Sequence, residues 1–312
     1  MTQFNHDALR AAVRERMEKN QVTGAALARE MGVSKAVVSG YLNDKYRGDN
    51  EAVAASLNTW LESSLAAAAL PESPAYIETP TAERIAAVLT YAQVTGRICL
   101  VYGHSGVGKT EAIKEFARTG NNVWFITASK SRSNELEAMY EIALAAGIKD
   151  APYRRGALSR ELRRNLINTG GLIIVDEADW LSYEAIEELR ILQEECGIGL
   201  VMAGNHQVYD RLTGGRRAVD FARLFSRVAK RIVINNVDDA DITAFCAAWR
   251  ITGRDELAML HAIAKRPGGL RSIAYILPLA AIYANAEEAA INIGHIHTAM
   301  LEQGHDPLPE AS

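Results

Sequence analysis

Gly103-His104-Ser105-Gly106-Val107-Gly108-Lys109-Thr110 lies between an apolar run, Ile98 to Val101, and a helix-like run, Thr110 to Ala117. The spacing is G-x-x-x-x-G-K-[ST] in the strand–loop–helix setting that the motif requires. The glycines let the backbone curl around phosphate oxygens. Their N–H groups and the start of the following helix form an anion-binding nest. All eight residues, Gly103, His104, Ser105, Gly106, Val107, Gly108, Lys109 and Thr110, are therefore candidate nucleotide contacts. Lys109 is expected at the β- and γ-phosphates and the Thr110 hydroxyl on Mg²⁺, which makes ATP with Mg²⁺ the expected ligand pair.

A phosphate loop needs an acidic partner strand. Gly171-Leu172-Ile173-Ile174-Val175 ends in Asp176-Glu177-Ala178-Asp179. Four apolar β-formers in a row mark a strand covered on both faces in a parallel sheet. Its C-terminal end belongs beside the phosphate loop. Asp176 is placed to hold Mg²⁺ through water, and Glu177 to act as general base on an attacking water. The next strand, Ile198 to Gly204, ends at Asn205, a candidate to touch the γ-phosphate or orient that water, with His206 a weaker candidate beside it. Further strands are expected at Asn122 to Thr127 and Ile232 to Ile234. Helices are expected at Thr81 to Thr95, Ser133 to Ala145, Leu158 to Asn168 and Tyr183 to Glu194. The alternation predicts an α/β sheet with helices on both faces. No acceptor site for a second substrate is evident, so water is the expected phosphoryl acceptor.

The chain has 312 residues, 48% of them apolar, a length and composition suited to one large globular domain or two to three smaller ones. Cys99, Cys196 and Cys246 lie far apart in apolar patterns, which reads as buried thiols in a reducing compartment. No signal peptide and no apolar run near 18 residues is evident, so a cytoplasmic protein without a membrane partner is expected. The net charge of −4 hides strongly basic segments.

Residues 1–68 form the first expected domain. A helix over 7–19 precedes Thr23-Gly24-Ala25-Ala26-Leu27-Ala28-Arg29-Glu30-Met31-Gly32-Val33-Ser34. Thr23 and Ser34 are cap residues and Gly32 permits a tight turn. A second helix, Lys35 to Leu42, turns Val38 and Leu42 inward. This is a helix-turn-helix pattern, whose second helix enters a DNA major groove. Ser34, Lys35, Val37, Ser39 and Tyr41 are expected to face outward, and Lys45 and Arg47 to reach phosphates. With so little charge on that face, backbone contact is favoured over sequence-specific readout. A further helix over 52–65 carries Trp60 as a core anchor. Pro71, Pro74 and Pro80 mark a linker over 69–80, followed by the α/β domain over 81–231.

Between Asp210 and Arg231 seven basic residues oppose two acids, a local excess of +5. Arg223 or Arg227 is a candidate to cross a subunit interface to a neighbour's γ-phosphate. Arg216 and Arg217, in a glycine-rich loop, are candidates for a DNA track. Two further clusters, Arg154, Arg155, Arg160, Arg163 and Arg164, and Lys130 with Arg132, are DNA candidates as well. Salt-dependent, sequence-independent affinity for duplex DNA is the expected sum. Residues 232–304 read as a helical lid. Within it Arg271 follows the Pro267-Gly268-Gly269 break at a helix start, where it reaches back towards the phosphates. Residues 305–312 are a tail.

The order of these motifs resembles the AAA+ superfamily of ATPases. More closely, it resembles the family of phage Mu-type transposition B proteins, over nearly the full length. The stretches that carry the likeness are Tyr41-Leu42-Asn43-Asp44-Lys45-Tyr46, Gly106-Val107-Gly108-Lys109-Thr110, Asn121-Asn122-Val123-Trp124, Ile174-Val175-Asp176-Glu177-Ala178-Asp179, Phe221-Ala222-Arg223-Leu224-Phe225-Ser226-Arg227 and Pro267-Gly268-Gly269-Leu270-Arg271. The second and fourth are common to phosphate-loop ATPases; the others are more specific. The resemblance implies an ATP-dependent, largely non-specific DNA-binding ATPase that assembles as a homo-oligomeric helical filament on duplex DNA. It implies delivery of target DNA to a cognate transposase, stimulation of strand transfer, and filament disassembly when the transposase stimulates hydrolysis. It implies a phage, prophage or related mobile-element context. By the same resemblance Asn205 matches the first sensor, Arg271 the second, and Arg223 or Arg227 the trans-acting arginine.

Two rivals remain at this level. One is a helicase loader or replication accessory ATPase, which the fused helix-turn-helix disfavours. The other is a nucleotide-gated transcriptional regulator, which the intact Glu177 disfavours.

Overall fold

The computed structural model describes residues 4–69, 73–207 and 226–306, in two compact units, Met1–Glu72 and Ser73–Ser312.

The first unit is helical: α1 (His6–Lys19), α2 (Gly24–Glu30), α3 (Lys35–Leu42) and α4 (Asn50–Ala69). Each of the first three starts at a residue whose side chain accepts a first-turn N–H: Asn5 from Ala8 at 3.1 Å, Thr23 from Ala26 at 3.2 Å and Ser34 from Val37 at 3.4 Å. Val13, Leu27, Val38, Tyr41, Leu57 and Trp60 meet in one core. Each large side chain so buried contributes roughly 1.5–3 kcal/mol. Trp60 also donates its indole N–H to Glu30 at 3.2 Å.

Tyr41 corrects the sequence reading. It is fully buried, not outward-facing. It stands three residues after Val38 and one before Leu42, on the same inward stripe of α3. Its hydroxyl bonds His6 Nδ1 at 2.8 Å, and the Arg10 guanidinium lies 5.0 Å from its ring centroid. Burial pushes the phenol pKa up.

The second unit opens with α5 (Pro80–Thr95), so Pro80 begins a helix where a linker was expected. Proline at the first helical position has no N–H to leave unpaired, and Thr79 caps the helix by accepting from Ala82 at 3.1 Å. Then come β1 (Ile98–Gly103), α6 (Lys109–Thr119), β2 (Val123–Thr127), α7 (Glu135–Ala145), α8 (Arg155–Leu166), β3 (Leu172–Asp176), α9 (Tyr183–Cys196), β4 (Gly199–Gly204) and β5 (Val228–Ile234). The strands pair in parallel in the order β2-β3-β4-β1-β5. β1, β3 and β4 are buried along their whole length, as two-sided cover demands. Ile98, Leu100 and Tyr102 of β1 face a core shared with α7, α8 and α9, whereas Cys99 and Val101 face α5 and α6.

β5 begins at Val228, four residues before the expected Ile232, and takes in Lys230 and Arg231. At a sheet edge, backbone pairing to β1 sustains a strand whose side chains are partly polar and exposed. Residues 221–225, ahead of β5, lie outside the described residues.

The chain ends in a helical subdomain with its own core: α10 (Asp239–Ala248), α11 (Arg254–Ala264), α12 (Gly269–Ala286) and α13 (Ile293–Glu302). The sequence reading did not delimit α13. Asn292 and His295 form its capping box, which gives the buried His295 a structural job. The three cysteines are free and buried, and burial pushes the Cys99 thiol up to about 11. Among the described residues no helix is long and apolar enough to cross a membrane.

Candidate nucleotide site

The phosphate loop is wedged between two backbones. Gly103 has φ +146°, and a Cβ there would lie 1.9 Å from the Ile234 carbonyl oxygen at the tip of β5. Gly106 has φ +83°, and its Cβ would lie 2.0 Å from the Gly268 carbonyl oxygen, in the turn before α12. Neither approach nor dihedral suits a residue with a side chain. Two hydrogen bonds fix the wedge: His104 N–H to Ile234 O at 2.9 Å, and Arg271 N–H to Gly106 O at 3.3 Å. The loop thus touches the sheet on one side and the lid on the other.

Lys109 is 9% exposed, and its ammonium donates to the carbonyls of Gly103 at 3.0 Å and His104 at 2.6 Å. Burial lowers its pKa, opposed by the nearby Asp176 and Glu177 carboxylates. The Thr110 hydroxyl donates to Asp176 Oδ2 at 2.7 Å, and Glu177 N–H donates to Asp176 Oδ1 at 3.0 Å. Glu177 has φ +52°, a left-handed conformation uncommon for a residue with a long side chain. It lines the same cavity as Lys109, Thr110 and Asp176. Burial raises the Glu177 pKa, helped by Asp176 and Asp179 and opposed by Lys109 and Arg271.

Asn205, just past β4, also lines this cavity. Its amide donates to Asp179 Oδ2 at 3.1 Å, and its Oδ1 accepts from Gln207 N–H at 2.7 Å. Asp179 is therefore a positioning partner whose role the sequence reading did not assign. His206 packs edge-on against the His104 ring, centroids 5.2 Å apart, and the Tyr102 ring at 5.8 Å.

The cavity holds about 700 Å³. Its phosphate end is the loop, Asp176, Glu177, Asn205 and Arg271. Its other wall was not foreseen. Tyr76 and Ile77, from the segment read as linker, line it together with Trp249, Tyr275 and Pro278 of the lid. An apolar, aromatic pocket beyond a phosphate cradle suits a nucleobase. Asp241 joins the two walls. It is fully buried, closes the capping box of α10 with Asp238, and accepts Thr81 N–H at the start of α5 at 2.8 Å. The Thr81 contact spans 160 positions, beyond what local spacing can show.

The donor set fits Mg²⁺. Thr110 and Asp176 offer hard oxygens side by side, and Mg²⁺ bound with phosphates needs only one or two protein ligands. Among the described residues no group of three or more His, Cys, Asp or Glu side chains forms a metal cluster, so a cage of protein ligands is not what this arrangement offers.

The remaining candidates fall elsewhere. Arg227 is exposed in the turn before β5. Arg223, Arg216 and Arg217 lie outside the described residues. On the first unit Ser34, Lys35, Ser39, Lys45 and Arg47 are exposed, as expected of a contact face. Lys130 and Arg132 form a 3₁₀ turn after β2. Arg154 and Arg155 start α8, whereas Arg163 and Arg164 lie about 12 Å further along it. The five arginines of that cluster are therefore spread along the helix. Arg163 pairs with Glu195 at 2.5 Å and Arg164 with Glu161 at 3.2 Å, which engages both with the protein's own acids.

Comparison with known proteins adds relatives. Residues 226–302 match the family model described as Mu B transposition protein, C terminal, and residues 92–212 match an AAA domain. The chain is 47% identical over 299 residues to the ATP-dependent target DNA activator B of Escherichia phage Mu, covering 96% of each chain. It is 48% identical to the Mu-like prophage FluMu DNA transposition protein B of Haemophilus influenzae, covering 83% of this chain and 91% of that one. Among solved structures, the Aeropyrum pernix ORC2 protein aligns with a TM-score of 0.51 at 16% identity, over 76% of this chain and 72% of that one. A Walker-type ATPase of Pyrococcus abyssi aligns with a TM-score of 0.50 at 14% identity, over 76% of each. These likenesses are of fold: an AAA+ nucleotide-binding domain with a helical C-terminal region.

Proposed function

The chain belongs to the family of Mu B transposition proteins, and on that premise we propose that it is an ATP-dependent target DNA activator. It binds ATP, assembles on duplex DNA with little regard to sequence, and presents that DNA to a cognate transposase in the cytoplasm of a bacterial host. One observation carries the reading. Phosphate loop, acidic pair, Asn205 and Arg271 converge on a single cavity, in a chain alike over 96% of its length to an activator of this kind.

The residues divide the work of hydrolysis. The loop N–H groups and the Lys109 ammonium hold the phosphates. Thr110 and Asp176 would hold Mg²⁺, which would supply neutralisation of phosphate charge. Glu177, half-buried, accepts a proton from the water aimed at the γ-phosphorus. Asn205, steadied by Asp179, orients that water or the γ-phosphate. Arg271 binds phosphate from the lid, so lid position and phosphate occupancy are coupled through the Arg271–Gly106 contact. Arg227 or Arg223 serves a neighbouring protomer's γ-phosphate, which links turnover to assembly.

DNA is held by distributed cations rather than by one groove-reading helix. Lys35, Lys45 and Arg47 with Ser34 and Ser39 form the contact face of the first unit. Lys130, Arg132, Arg154, Arg155 and Arg160 form that of the second, with Arg163, Arg164, Arg216 and Arg217 as further candidates. α8 begins with Arg154 and Arg155 and has no side-chain cap. Free N–H groups and two guanidiniums together favour an anion. A replication ATPase is the less favoured reading, because the relatives that match along nearly the whole chain are a target DNA activator and a DNA transposition protein.

Electron microscopy of the full chain with ATP and random-sequence duplex tests the proposal. Continuous helical filaments are expected. Closed rings alone, or footprints confined to one operator, overturn it.

A further inference from the structure

Three side chains on α7 reach to the segments on either side of it. Glu135 holds Arg155 at 2.8 Å, Glu141 holds Arg132 at 3.3 Å, and Glu137 accepts the Tyr153 hydroxyl. The two arginines come from separate elements, the 3₁₀ turn after β2 and the first turn of α8. Both guanidiniums are half-exposed, at 48% for Arg132 and 69% for Arg155, while the carboxylates beneath them are only 27% and 19% exposed. The acids are thus fixed by packing and the cations are not. Lys130 and Arg154, their immediate neighbours, form no ion pair among the described residues.

This placement has a cost that packing alone does not explain. Arginine at the first turn of a helix opposes the helix dipole. Glu135 compensates for Arg155 from outside the helix. A duplex phosphate would compensate in the same way, using the same donors, since carboxylate and phosphate both accept the guanidinium fork.

We propose that α7 carries built-in competitors for the DNA backbone: Glu135 and Glu141 occupy Arg155 and Arg132 until duplex phosphates replace them. The inference rests on the reading of these arginines as DNA contacts. Each binding event then exchanges one anion for another at a fixed cation. The net affinity per contact is small, and the duplex is released readily once the protomer leaves its assembly. Lys130 and Arg154 provide the first attraction, and Arg132 and Arg155 engage after the exchange.

Glu137 supplies the control. It sits on the same helix and carries the same charge, but its partner is a tyrosine. Removing its charge changes the local field without releasing a cation. The experiment is anisotropy of a labelled random-sequence duplex titrated with the full chain and ATP at fixed salt. Glu135→Gln and Glu141→Gln are each expected to tighten binding about two- to fivefold, the range of an exposed ion pair. Glu137→Gln is expected to tighten it less. In an Arg155→Ala background the gain from Glu135→Gln falls to the level of Glu137→Gln. Equal gains from all three variants, or a Glu135→Gln gain undiminished by Arg155→Ala, or no gain at all, overturn the inference. If Arg132→Ala and Arg155→Ala by themselves leave affinity unchanged, the DNA reading of this surface fails instead. Circular-dichroism melting of each variant confirms that comparisons are made between folded proteins.

Discussion

The nucleotide cavity and the basic surface around α7 are built from the same residue types on opposite plans. In the cavity several polar groups are fixed by others in a buried or half-buried setting: Thr110 by Asp176, Asn205 by Asp179, Lys109 by two loop carbonyls. Around α7 the guanidiniums lie at the surface over mostly buried carboxylates, and exposed pairs are individually weak. A site that does chemistry needs its groups held before the substrate arrives. A surface that follows any duplex needs many contacts of small individual weight. Substitutions should therefore produce large, single-residue losses in the first region and small, cumulative ones in the second.

Glu177→Gln gives the largest expected effect. Turnover falls by about 10²–10⁴-fold, the usual contribution of a general base, while ATP and DNA stay bound. A phosphate-release assay and a nucleotide-binding titration check both halves. The raised pKa supplies a second readout. A carboxyl whose folded pKa lies above its unfolded value lowers stability as pH rises through that interval. The glutamine variant is then slightly more thermostable than wild type at neutral pH, and the difference disappears below the unfolded pKa.

Gly106→Ala follows. Its Cβ would stand 2.0 Å from the Gly268 oxygen at a backbone φ of +83°. The loop or the lid turn must move, and ATP affinity is expected to fall by about tenfold or more, the equivalent of 1.4 kcal/mol, a modest fraction of a strained-backbone and steric penalty. Near-wild-type affinity would show that the loop does not depend on the lid contact.

Tyr41→Ala tests the corrected assignment on the first unit. Truncating a fully buried aromatic costs about 3–5 kcal/mol. Melting should show that unit destabilised. If Tyr41→Phe, which keeps the ring and loses only the His6 bond, weakens DNA binding while leaving stability intact, Tyr41 is a contact after all.

Asp179→Asn should move the acid limb of the hydrolysis profile to lower pH. Asp179 raises the Glu177 pKa, and the base works only when deprotonated, so removing that charge extends activity downward. An unmoved limb means that Asp179 acts on Asn205 alone.

What could be read from the sequence follows the same division. Local rules sufficed for the phosphate loop, the acidic strand and the caps at Thr23 and Ser34, because spacing and residue type decide them within one or two turns. They failed where a distant partner decides. Tyr41 was misassigned because its polar tip outweighed its stripe on α3. Tyr76 and Ile77 read as linker because nothing nearby says that Trp249 and Tyr275 line the same cavity. β5 was begun too late because edge pairing, not apolarity, sustains Lys230 and Arg231 in a strand. The arginines of α8 read as one cluster because sequence adjacency hides the rise along the helix axis.

Lys130→Ala and Arg154→Ala are expected to have the smallest individual effects. On the proposed DNA reading each removes one phosphate contact, and among the described residues neither side chain is ion-paired. Duplex affinity should fall about two- to fivefold for each, uniformly across sequences, and the log–log salt slope should become shallower by about one. The two together should be close to additive, because they neutralise separate phosphates. A loss confined to one DNA sequence would mean base readout rather than backbone contact. A loss of turnover as large as that of Glu177→Gln would collapse the distinction between the two regions, since a cation outside the cavity would then be setting the chemistry within it.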